Sequence, residues 1–191
     1  MTSASPSARR GGSVYAIDDD FVLRLPEPRD VEALYTFKND PDLAALLGGF
    51  TRGYSRADVA GWVDFHRNAK DEVLWVVATR EDACVGHVGL YKIDHRVGQA
   101  EFAIILGKQA IWGRGIGTKL TRFAVEYAFN QLNLRRLYLD VLSINPRAQH
   151  VYEKLGFVVE GRRRQAQFKS GKYVDVIEMA LLRAEYRGAA S

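Results

Sequence analysis

Three glycines in five positions, Gly113, Gly115 and Gly117 of "IWGRGIG", stand between the alternating apolar run "QAEFAIILG" (99–107) and a stretch with helical spacing. A helix that starts there leaves the N–H groups of its first turn without intrahelical partners, and its dipole adds positive potential at the same end. Such an end attracts phosphate. Glycines permit positive φ and let an anion approach the backbone without meeting Cβ atoms. Two nucleotide patterns are excluded. A P-loop needs Gly-Lys-Ser/Thr, whereas here Lys119 follows Thr118 and precedes Leu120. The dinucleotide fingerprint needs Gly or Ala where Thr118 stands, in a turn that opens the first βαβ unit. On this stretch alone, a glycine turn without a ligand remains an open alternative.

The flanking elements are read from period and punctuation. "FVLRLPEP" (21–28) alternates and ends at prolines, which predicts a strand; 29–40 and 55–69 carry helical spacing, the second capped by Ser55. Runs 73–80 and 84–94, joined by "EDA", predict a hairpin, and 99–107 a third strand of the same meander. Ile116, Leu120, Phe123, Ala124, Tyr127 and Ala128 form one apolar face of a helix after the glycines. A strand over 135–143 follows, then a helix capped by Asn145, opened by Pro146 and closed by Gly156, then a final strand pair ending at 172–182. This order predicts an α/β domain with a mixed sheet.

The whole chain sets bounds. At 191 residues, with 47% hydrophobic and 26% charged residues, it suits a single domain over 15–187, preceded by a disordered tail over 1–14 that is rich in Ser, Ala, Gly and Arg. No apolar run approaches the roughly 18 to 20 residues of a membrane span, and the start lacks a secretory core. Cys84 is the only cysteine and reads as a small core residue, which fits a reducing cytoplasm. The formal charge of +4 comes from scattered basic residues, with local clusters such as Arg135–Arg136 and Arg162–Arg164. Scattered charge of this kind makes solvated faces rather than a nucleic-acid surface.

The second half adds specificity. "WGRGIG" resembles the Gln/Arg-x-x-Gly-x-Gly/Ala signature of the GNAT superfamily of acetyl-CoA-dependent N-acetyltransferases at Gly115 and Gly117, with Trp112 where a polar residue usually stands. "NPRAQHVYEKLGF" (145–157) resembles that family's Asn-x-x-Ala-x-x-x-Tyr-x-x-x-Gly-Phe helix. The resemblance spans 20–185 and is strongest to the ribosomal-protein N-acetyltransferase-like branch, spermidine N-acetyltransferases especially. It implies a mostly antiparallel central sheet flanked by helices. It implies direct attack of an amine on the thioester of acetyl-CoA, with no metal and no covalent enzyme intermediate.

The resemblance also distributes roles. Tyr152 matches the general acid, and Glu101 is the candidate base or water relay. The backbone of Ile104, Ile105 and Leu106 is expected to hold the pantetheine amides. Trp112, Gly113, Arg114, Gly115, Ile116, Gly117 and Thr118 should make the pyrophosphate cradle, and Asn145 and Ala148 should touch the pantetheine arm. Asp94 and His95 stand just upstream of Glu101, and "KNDPD" offers Asp40 and Asp42, so Asp40, Asp94 and His95 are the candidate acceptor contacts. A small amine such as a polyamine is the leading acceptor. A protein N-terminus and an amino sugar, including a nucleotide-linked one that Arg162–Arg164 would suit, are the alternatives. A non-catalytic acyl-CoA sensor is the reading from another class, and a homodimer or larger homo-oligomer is the assembly the family suggests.

Overall fold

The computed structural model describes residues 14–49, 52–107 and 111–188, so the expected tail over 1–14 lies outside it except for Val14. Eight strands form one sheet: β1 (Tyr15–Ala16), β2 (Phe21–Arg24), β3 (Val73–Thr79), β4 (Cys84–Asp94), β5 (Gln99–Leu106), β6 (Arg136–Leu142), β7 (Val158–Lys169) and β8 (Lys172–Leu182). Their order across the sheet is β1-β2-β3-β4-β5-β6-β8-β7, antiparallel at every step but β5 to β6. Helices α1 (Val31–Lys38), α2 (Pro41–Ala45) and α3 (Arg56–Asn68) lie between β2 and β3 in the chain. Helix α4 (Ile116–Asn130) links β5 to β6, and α5 (Pro146–Lys154) links β6 to β7.

The sheet is covered on both faces, which explains why β3 reads as an unbroken apolar run: Leu74 to Ala78 are all buried. One face meets α4 and α5 through Leu120, Ala124, Val125 and Leu155, with Trp75, Phe123 and Tyr127 in edge contact. The other meets α1 and α3 through Leu34, Phe37, Val59 and Val63. Truncating the fully buried Leu120 to Ala would cost about 3 kcal/mol through lost transfer energy and the cavity left behind.

Two local differences from expectation have physical reasons. Strand β2 stops at Arg24, before Pro26 and Pro28, which have no N–H for a ladder. Arg24 is itself buried and held in a fork by Asp30, with Nη1 and Nη2 each 2.8 Å from a carboxylate oxygen. The stretch after α1, expected to be a loop, begins a further helix. Asp40 accepts hydrogen bonds from the N–H groups of Asp42 (2.9 Å) and Leu43 (3.1 Å), and Pro41 fills the first helical position.

One feature of the sheet positions the site. Strands β5 and β6 are paired only at Gln99–Arg136, Ala100–Leu137 and Glu101–Tyr138. Beyond those three pairs β5 continues to Leu106 beside β4 and β6 to Leu142 beside β8 without pairing with each other, so the sheet divides into a V.

Candidate active site

The V opens into a cleft of about 670 Å³. One wall is β5 from Glu101 to Leu106, and the other is β6 from Asp140 to Leu142 with Asn145, Ala148 and Tyr152 beyond it. The glycine turn closes one end. Gly113 (φ 77°) and Gly115 (φ 79°) both occupy the left-handed region, which turns the chain sharply into α4.

The start of α4 differs from the starts of α2, α3 and α5. Those three are capped by side chains of Asp40, Ser55 and Asn145, whereas α4 opens on Gly115 with no side-chain cap and no acidic residue in its first turn. Its first N–H groups therefore face the cleft without a protein acceptor supplied by a cap. Gly117 carries the point further. Its φ is unstrained and a Cβ built there would meet nothing within 4 Å, so the fold itself does not require glycine at this position. The absence of a side chain there leaves room for an anion at the helix end. The fit of a pyrophosphate-bearing carrier thus rests on backbone donors and on space left at Gly113, Gly115 and Gly117.

Trp112 also finds a use. Its Nε1–H donates to the carbonyl of Leu106 at 3.0 Å, tying the turn to the end of β5, and the Arg147 guanidinium lies 4.1 Å from its ring centroid. Arg147 thereby brings a cation to the cleft lining. Arg114 does not line the cleft and pairs with Asp20 at 3.1 Å, while Lys119 pairs with Asp18 at 2.7 Å.

Tyr152 is buried on α5, with its ring 6.0 Å from Phe102 and 5.9 Å from Phe157. Its hydroxyl has no hydrogen-bond partner among the described residues, and it lines the cleft. Burial pushes its pKa up to about 12, so it keeps its proton at neutral pH. Glu101 reaches the same cleft from the last paired position of β5, and its carboxylate meets Lys92 Nζ at 2.6 Å. Lys92 stands at an irregularity of β4 and has positive φ (50°). The cross-strand partner of Glu101 is Tyr91, whose hydroxyl burial, with Glu72 and Glu101 nearby, drives well above its ordinary range.

The three expected acceptor contacts are placed elsewhere. Asp40 caps α2. Asp94 accepts from the N–H groups of Arg96 (2.8 Å) and Val97 (3.2 Å) in the β4–β5 turn, beside an exposed His95. None of these lines the cleft. The cleft is lined, beyond the residues already named, by Leu46 to Gly49, Asp140, Arg163 and Gln167. Arg163 is paired with Asp140 and, at 2.9 Å, with Glu178, while Gln167 accepts from Gly49 N–H at 3.2 Å. The sequence reading missed these groups, although Arg163 belongs to the basic cluster it singled out.

A sheet split over a cleft, with an uncapped glycine turn at one end and a protonated phenol and a carboxylate on its walls, defines an enzyme that transfers a group from a phosphate-bearing carrier. The chain belongs to the Acetyltransferase (GNAT) domain family, which it matches over residues 20–158. It is 30% identical to a spermidine N(1)-acetyltransferase of Vibrio cholerae over 171 residues, covering 89% of this chain and 97% of that protein. It is 32% identical to the Escherichia coli K12 spermidine N(1)-acetyltransferase over 165 residues, 86% of this chain and 87% of that one. A crystal structure of the Vibrio cholerae spermidine N-acetyltransferase in complex with CoA and spermine superposes with a TM-score of 0.81 at 30% identity, covering 88% of this chain and 99% of that chain. The protein is an acetyl-CoA-dependent N-acetyltransferase. No helix among the described residues is long and apolar enough to cross a membrane.

Proposed function

We propose that the enzyme acetylates a small primary amine, with polyamines such as spermidine as the leading acceptor class. The observation that carries this reading is the meeting of Tyr152 and Glu101 in one cleft whose far end is the uncapped start of α4. The acceptor nitrogen loses a proton to Glu101, directly or through water, and bonds to the acetyl carbon. The carbon–sulfur bond then breaks, and the departing thiolate takes the Tyr152 proton, which solvent replaces. Ile104 to Leu106 lie where the edge of β5 that faces β6 is open, and there their backbone would hold the amides of the carrier arm as an added strand would. In this scheme Arg147, rather than Arg114, supplies the cation beside the phosphates.

The polyamine reading draws on the relatives and on two cleft carboxylates, Glu101 and Asp140. Both are already paired, Glu101 with an exposed Lys92 and Asp140 with Arg163, so a polycation would enter by exchange. Exposed pairs are worth little, and the exchange therefore costs little. A nucleotide-linked amino sugar is less favoured, because Arg162 is paired with Asp175 (3.0 Å) and Arg163 with Asp140 and Glu178. The same pairing disfavours a nucleic-acid partner.

The deciding experiment follows thiol release from acetyl-CoA across spermidine, spermine, amino sugars, an aminoglycoside and peptides with free N-termini. Turnover concentrated on the polyamines supports the proposal. Turnover concentrated on another class replaces the acceptor. Binding of acetyl-CoA with no turnover on any of them would favour the sensor reading.

A further inference from the structure

The acceptor side of the cleft has an annex. A second cavity of about 220 Å³ shares Leu47, Gly48 and Ile105 with the main cleft and is walled by α1 and β4. Leu34, Phe37 and Leu47 make most of it apolar, and its polar groups are Lys38, Tyr54 and His87, with no carboxylate among its lining residues.

Both nitrogenous groups are incompletely satisfied. His87 is only 5% exposed, and its Nδ1 has no hydrogen-bond partner. Its neighbours across the sheet are aliphatic, Val76 on β3 and Ile105 on β5, and Trp62 packs on it at 5.1 Å. Burial above all, with Lys38 and His66 adding, holds the imidazole down to about 3, so it is neutral. The Lys38 ammonium lies 4.0 Å from the Trp62 ring centroid and 5.4 Å from that of Tyr54, and no carboxylate among the described residues forms an ion pair with it. The rings offset part of its desolvation. A half-buried cation without an anion and a buried imidazole whose Nδ1 lacks a partner are both costly, and both groups line this chamber.

We propose that this annex binds the carboxylate of an acceptor whose primary amine lies a few bonds away, extending the substrate range from polyamines in the main cleft to small amino acids. A carboxylate in the annex accepts from the Lys38 ammonium, which gives that cation its missing anion, and it lies beside the neutral His87 ring. The single cation and apolar walls suit a monoanion better than a phosphate dianion. The shared residues Leu47, Gly48 and Ile105 make the annex continuous with the cleft that holds Tyr152 and Glu101. The inference rests on the amine-acceptor reading but not on polyamines as such.

The test pairs acids with their decarboxylated counterparts: glycine, β-alanine and γ-aminobutyrate against methylamine, ethylamine and propylamine. In the CoA-loaded protein, the imidazole NMR resonances of His87 are expected to move on titration with the best-spaced amino acid and not with its counterpart. Movement with neither member of any pair, or equally with both, overturns the annex, whatever the activity assays show. In turnover, Lys38→Met is expected to lower kcat/KM for the amino acid by about tenfold or more, as for a lost hydrogen bond to a charged group, and to raise it for spermidine by relieving repulsion. Lys38→Arg should restore the first. Equal changes for both acceptors would mean a structural role only and would also overturn the inference. Absence of spermidine turnover alone would remove the polyamine reading and leave the annex standing.

Discussion

In the proposed function, the carrier end of the cleft and its acceptor end are built on different principles. The carrier end is backbone: the unpaired edge of β5, the first turn of α4 and glycines that keep side chains away. The acceptor end is side chains in paired charge, drawn from different strands, such as Lys92 of β4 with Glu101 of β5 and Arg163 of β7 with Asp140 of β6. Backbone recognition of a constant carrier needs a turn that only certain residue types can make. Recognition of a variable amine needs a few charges, and almost any surface can exchange these.

The comparison is sharpened first at Tyr152, which stands between the two ends. Tyr152→Phe is expected to lower kcat by about a hundredfold or more while calorimetry shows acetyl-CoA affinity unchanged. An unaltered kcat would take the phenol out of the chemistry. Glu101→Gln should lower kcat/KM for the amine by about tenfold, again without touching acetyl-CoA binding. Its melting temperature should barely move, because the partner Lys92 is exposed.

A stability effect comes next. The ordinary histidine value is 6.5, and His87 is held down to about 3 in the folded chain. As pH falls from the first value toward the second, the unfolded chain takes up a proton that the folded chain refuses, so stability is full above the ordinary value and declines below it. Melting curves should show that decline, and His87→Leu should flatten it. A slope that persists in the variant would assign it to other groups.

Gly117→Ala is expected to separate fold from function at the carrier end. The helix should gain about 0.5 to 1 kcal/mol, seen as a higher melting temperature, while the KM for acetyl-CoA rises several-fold. A raised melting temperature with an unchanged KM would break the backbone-cradle account. The smallest effect is expected at Arg163→Ala, which releases Asp140 and Glu178. Spermidine KM should fall roughly two- to threefold, and added salt should erase the difference.

The same contrast explains what could be read from the sequence. The element order and the glycine turn were legible because period, caps and positive φ are local properties. Asn145, Pro146 and Gly156 bracket α5 as expected. Asp40 was ambiguous for a local reason too: an aspartate before proline caps a helix as readily as it faces a ligand, and here it caps α2. Asp140, Arg163, Gln167 and the Lys38–His87 chamber were not legible, since each depends on which elements become neighbours. The insertion of β8 between β6 and β7 decides it for Asp140, Arg163 and Gln167, and the packing of α1 over β4 decides it for Lys38 and His87; no spacing within one segment records either.

The short pairing of β5 with β6 has one more consequence. An edge left open within a sheet is completed by whatever lies along it, and a ligand that binds only the folded chain adds RT ln(1 + [L]/Kd) to its stability, about 2.7 kcal/mol at a hundred times Kd. The enzyme's survival against proteases is therefore tied to carrier supply, and limited proteolysis with and without CoA would measure the tie.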